Sequence, residues 1–124
     1  MPYGGILCFN RPEVKAYLEK KIDSLCMNKN IGGIFLDGFG FQNFNGCYCD
    51  VCQKSYQDYL KKNGLKDTTQ NRNIFNRETL VRINNELHDY IKSKYPDRMT
   101  ACHVWPVFQP QPLYGKELKI DYVG

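Results

Sequence analysis

The chain has 124 residues, of which 42% are hydrophobic and 24% charged, with a formal net charge of +4. These proportions fit one ordinary globular segment and speak against a disordered chain. Lys and Arg are spread along helical patterns instead of gathered on one face, so nucleic acid is not an expected partner.

No apolar run approaches the roughly 20 residues needed to cross a bilayer, so no membrane partner is expected. The opening Met1-Pro2-Tyr3-Gly4-Gly5 lacks the basic-then-apolar layout of an export signal, and a cytoplasmic location is expected on that ground.

Gly4 to Phe9 is a short apolar run that predicts a buried strand. Asn10 is then placed to cap a helix, with Pro12 in its first turn and Glu13 completing a capping box. That helix is expected to bury Val14, Tyr17, Leu18, Ile22, Leu25 and Cys26 and to stop near Met27. Ile31 to Asp37 reads as a second strand, apolar on both faces as in a parallel sheet covered by helices. Gly38 to Gly46 is punctuated by Gly and Asn and predicts a loop.

Cys52 to Lys62 carries a second helical pattern (Val51, Tyr56, Tyr59, Leu60), closed by Asn63-Gly64. Leu65 to Asn73 reads as polar connection. Asn76 is the expected cap of a third helix with Leu80, Ile83, Leu87, Tyr90 and Ile91 buried, ended by Pro96. Met99 to Val107 predicts a third strand, and Leu118 to Val123 the start of a fourth. Alternating strands and helices imply βαβ units with parallel strands.

Six cysteines are unusual for this length, and three of them fall in Cys47-Tyr48-Cys49-Asp50-Val51-Cys52. Without an export signal a thiolate metal site is favoured over a disulfide framework. Zn2+ is the default ion, and a closed tetrahedral site needs a fourth ligand. Cys8 is the candidate, because it ends the first predicted strand at the sheet edge that the Cys47 loop shares. Cys26 and Cys102 are expected to be buried small hydrophobes. A Cys49/Cys52 redox pair is the rival use of the cluster, and a small zinc-stabilised α/β module for protein interaction is an alternative reading of the whole chain.

Asp37 ends an apolar strand, and alternate residues place His103 and Trp105 on one face of the third strand. In parallel α/β sheets such carboxyl ends carry active sites. Asp37 is therefore the candidate catalytic residue, with turn former as the plain alternative. His103, Trp105, Phe39 and Phe41 are candidate substrate contacts, since aromatic walls suit the C–H faces of sugars. His88 is expected at a surface or boundary position.

The run Gly-Ile-Phe-Leu-Asp-Gly (Gly33–Gly38), the loop, and Cys-Tyr-Cys-Asp-Val-Cys-Gln-Lys-Ser-Tyr (Cys47–Tyr56) resemble the middle of a group of glycoside hydrolases. These are β/α-barrel enzymes related to the α-galactosidase and α-amylase-like superfamilies. Cys8 to Val14 resembles the strand-to-helix junction one unit earlier.

The resemblance implies a partial (β/α)8 TIM barrel, with Ile6, Ile34 and Ala101 in the third, fourth and fifth strands. It also implies a carbohydrate substrate and Asp37 as nucleophile. Some β-galactosidases with a similar cysteine loop complete a zinc site with an earlier cysteine, which again points to Cys8. Where those enzymes have Asn-Glu, this chain has Leu36-Asp37, which favours the α-galactosidase-like role.

A complete barrel needs eight strand–helix units and roughly 250 residues. The chain is therefore expected to be an inactive segment of about three units, with the acid/base partner elsewhere. Open sheet edges are expected to promote self-association.

Overall fold

The computed structural model describes residues 8–39, 47–104 and 118–123, with the side chains of 37–39, 103–104 and 122–123 outside the description. The first helix, α1 (Pro12–Cys26), follows a turn at Phe9 and Asn10. Pro12 suits the first helical position, where its missing N–H would have had no partner. Asn10 does not cap this helix as expected. Arg11 occupies the cap position without a side-chain bond, and the Asn10 amide is engaged elsewhere. Val14, Ile22 and Cys26 form the buried stripe, while Tyr17 and Leu25, expected inside, are about half exposed.

Strand β1 (Gly33–Phe39) leads through residues 40–46 to α2 (Asp50–Asn63). Gly64 ends α2 in the left-handed region, at φ 60° and ψ 38°, which glycine adopts without a Cβ penalty. The Gly64 N–H reaches the Lys61 carbonyl and the Leu65 N–H reaches that of Leu60, so both orphan carbonyls are satisfied. Helix α3 (Thr69–Lys94) starts well before the expected Asn76. The Thr68 hydroxyl accepts the Asn71 N–H at 3.1 Å and caps it, so part of the supposed polar connection is helix. Strands β2 (Met99–Val104) and β3 (Tyr122–Val123) follow.

The sheet order is β1-β2-β3, with both pairings parallel. Gly33 to Leu36 pair with Met99 to Cys102, and the register then shifts before Phe39 meets Val104. The main core joins Ile22 and Cys26 of α1, Ile34 of β1, Cys102 of β2 and Leu118. It also takes Leu80, Ile83, Leu87 and Ile91 of α3, all at most 2% exposed. A second cluster of Tyr56, Leu60 and Phe75 lies between α2 and α3.

This arrangement corrects the expected partial TIM barrel of three strand–helix units. Among the described residues there are three helices and a small parallel sheet in which only β1 and β2 are of substantial length. The β1-to-β2 crossover contains two helices, as the sequence pattern predicts, where a barrel unit has one, and α2 packs on α3. Phe9, expected in the first strand, lies in a turn, and Gly4 to Leu7 with Ile6 fall outside the described residues. Leu118 enters the core at 6% exposure without pairing, so the last strand is only two residues long.

Polar ties fasten the chain around this core. Arg98 donates to the Cys26 carbonyl at 3.1 Å, at the C-terminal end of α1 where a cation is favoured. Asp23 of α1 accepts from Tyr95 and Tyr90 hydroxyls and from Lys94, which hold its carboxyl below the usual range. His88 lies at the helix–sheet boundary, its Nδ1 2.8 Å from Thr100 Oγ1.

Gly33 sits opposite Met99, and a Cβ there would lie 2.5 Å from the Met99 carbonyl oxygen, whereas one at Gly32 meets nothing within 4 Å. Gly33→Ala is expected to lower stability by about 1–3 kcal/mol, as overpacking does elsewhere. Gly32→Ala should be close to neutral. Urea denaturation of the two variants checks the contrast, and equal effects would contradict the register.

Candidate metal centre

Two separate segments deliver the four thiols. Cys8 lies just before the turn that starts α1, and Cys47 ends the connection from β1. Cys49 is the N-cap residue of α2, and Cys52 falls in its first turn, so helix geometry points both towards the same end. The four ligand atoms all lie within 4.8 Å of one another. Cys8 Sγ is 3.2 Å from Cys52 Sγ and 3.5 Å from Cys49 Sγ. None of the six cysteines is in a disulfide. A tetrahedron with metal–sulfur bonds of 2.3 Å has sulfur–sulfur edges of about 3.8 Å, inside the spread seen here. The four cysteines are therefore close enough to hold a metal ion.

The surroundings suit thiolate charge. Asn10 Nδ2 donates to Cys52 Sγ at 3.3 Å, and Arg11 bridges to Asp50 at 2.7 Å beside Cys49. The N-terminal end of α2 adds its own partial positive charge. Burial pushes the Cys8 and Cys52 thiols up. Burial acts on Cys49 too, but the backbone N–H of Cys52 and hydrogen bonds from the neighbouring thiols outweigh it and bring Cys49 down to about 6.

Arg72 of α3 closes one side. Its Nη2 donates to the Cys47 carbonyl and its Nη1 to Gln53 Oε1, each at 2.8 Å. The guanidinium lies 4.4 Å from the Tyr48 ring centre and 4.5 Å from that of Tyr56.

The structure brings Cys8, Cys47, Cys49 and Cys52 together, and places Cys26 and Cys102 in the core at 3% and 0% exposure. Asp37 and Phe39 lie in β1 and His103 in β2, with side chains outside the description. Phe41 and Trp105 fall outside the described residues. Sequence reasoning missed Arg72, because it lies in the stretch read as polar connection. Thr68 with Asn71 was the signal that would have extended the helix over it.

Comparison with protein-family models, curated proteins and solved structures finds no match to this chain. Among the described residues no helix is long and apolar enough to cross a membrane.

In metal-free protein Cys49 is expected to be the thiol alkylated first at pH 7, its rate rising with pH around a midpoint near 6. Peptide mapping after limited iodoacetamide treatment reads the order. Labelling led by Cys8 or Cys52 would contradict the electrostatic assignment.

Proposed function

We propose that the chain is a metal-stapled α/β unit in which Cys8, Cys47, Cys49 and Cys52 hold a structural Zn2+. The observation that carries this reading is the convergence of four thiol sulfurs within 4.8 Å from two distant segments. Soft thiolates select zinc among common ions, and four of them leave no open position for a substrate or an activated water. The ion would act by position, fixing the end of the loop that leaves β1 and the start of α2. Metal binding would then be part of the folding free energy.

Native mass spectrometry of the purified chain is expected to show a single zinc, lost on denaturation, with all thiols reduced. Cys52→Ser should abolish the bound zinc, and a chelator should lower the melting temperature of the parent chain but not of the variant. Absence of metal together with a Cys49–Cys52 disulfide would overturn this reading in favour of a redox pair.

A second reading, sugar processing with Asp37 as nucleophile, is favoured by one observation. The β1–β2 register is irregular between Leu36 and Phe39, so Asp37 and Gly38 sit at a bulge at the carboxyl end of a parallel strand. Bulges of this kind re-aim side chains beside active sites, and carboxyl ends of parallel strands are where ligands bind. Mechanism-based fluoroglycoside probes with activated leaving groups, which depart without the acid/base partner that the chain is expected to lack, should label Asp37 covalently, read by intact mass and peptide mapping. No adduct across a panel of α- and β-linked probes would remove Asp37 from that role.

A further inference from the structure

We propose that α3, which supplies no thiol, sets the metal affinity of the four-cysteine centre through two guanidinium groups, Arg72 acting on the Cys47 segment and Arg82 acting through Asn10 on Cys52. The inference rests on the zinc reading above and assigns positioning residues to that centre.

Arg72 is 9% exposed, and both of its terminal nitrogens are committed to one side of the site, while its Nε is buried without a hydrogen-bond partner among the described residues. One nitrogen holds the backbone of the ligand Cys47, and the other holds Gln53, the residue after the ligand Cys52. Its face is covered by Tyr48, which lies between Cys47 and Cys49, and by Tyr56 of α2. A single rigid group thus fixes both ends of the Cys47–Cys52 stretch. Lysine, a point charge on a flexible stem, cannot make the two directed bonds and the stack together.

Arg82 performs the matching task on the other segment. Its Nη2 donates to Asn10 Oδ1 at 2.7 Å and to the Phe9 carbonyl at 3.4 Å, the two residues that follow Cys8. Glu86 holds the guanidinium in place through Nη1 at 3.2 Å. With its oxygen accepting from Arg82, the Asn10 amide presents its nitrogen, which donates to Cys52 Sγ at 3.3 Å. Both arginines stand on one continuous helix, about 15 Å apart along its axis at 1.5 Å per residue. The separation of the two ligand segments is therefore set by a rigid element before any ion arrives. Partners of this kind orient metal ligands, and their loss typically weakens binding roughly 10–100-fold.

The test measures zinc affinity by competition with a chromophoric chelator and records the charge-transfer spectrum of the cobalt-substituted chain. Arg72→Met is expected to weaken zinc binding within that roughly 10–100-fold range, and Arg72→Lys should fail to restore it. Asn10→Ala should weaken binding and move the sulfur-to-cobalt band to lower energy, because Cys52 loses its N–H donor. A purely structural contribution would leave that band in place.

Arg82→Met should reproduce the Asn10→Ala spectrum in milder form. If Arg72→Met fails to fold, Asn10→Ala and Arg82→Met decide the matter, since Arg82 is well exposed. Unchanged affinity and an unchanged cobalt band in both would overturn the inference while leaving the zinc site standing. Failure of the parent chain to bind either metal would overturn the zinc reading, and this inference with it.

Discussion

Four sulfurs within 4.8 Å of one another cannot all carry charge unless something positive lies among them. That constraint organises the four-cysteine end of this chain. The fold meets part of it in advance, with the N-terminal end of α2 beneath Cys49 and Cys52, Arg11 beside Cys49 and an amide proton on Cys52. Burial pushes the Cys8 and Cys52 thiols up, while hydrogen bonds from the Cys52 backbone N–H and the neighbouring thiols bring Cys49 down to about 6. A divalent cation would resolve the conflict by making all four anionic at once, releasing protons as it binds.

Helix α3 connects this end to the core. Its C-terminal part buries Leu80, Ile83, Leu87 and Ile91 against α1 and the sheet. Its first turns pack Phe75 against Tyr56 and Tyr59, at ring-centre distances of 5.3 and 5.5 Å. The two hydrophobic clusters are thus strung along one 26-residue helix. Nucleating a helix of that length on the larger core would bring Arg72 and Arg82 into place as a consequence.

Much of this was legible where local physics decides alone. The α3 stripe followed from helical spacing, the end of α2 from Asn63-Gly64, and the grouping of Cys47, Cys49 and Cys52 from their spacing. Cys8 joins them without the strand expected to carry it: Phe9 lies in a turn, and Gly4 to Leu7 fall outside the described residues. Tertiary context governed what was missed. Asn10 has the chemistry of a cap, but the Cys52 thiol and Arg82 compete for it more effectively. Tyr17 and Leu25 fit the α1 stripe, yet both stay about half exposed, while that helix buries Val14, Ile22 and Cys26, packs Leu18 on the core and ties Asp23 to Tyr90, Tyr95 and Lys94. The barrel expectation came from the family resemblance, and among the described residues only β1 and β2 form strands of substantial length. Leu118, read as the start of a strand, fills the core as a side chain without pairing.

The site's location relative to the sheet follows from the same topology. Parallel strands send their carboxyl ends in one direction, and Cys47 returns the chain from the end of β1. Holding both ends of a connection lowers the entropy that its residues must lose on ordering. Pairing of Phe39 with Val104 fixes one end, and the Arg72 bond to the Cys47 carbonyl fixes the other. An ion with four thiolate ligands has no coordination position to offer chemistry. The cysteine centre would contribute by keeping the return of the chain in a single place.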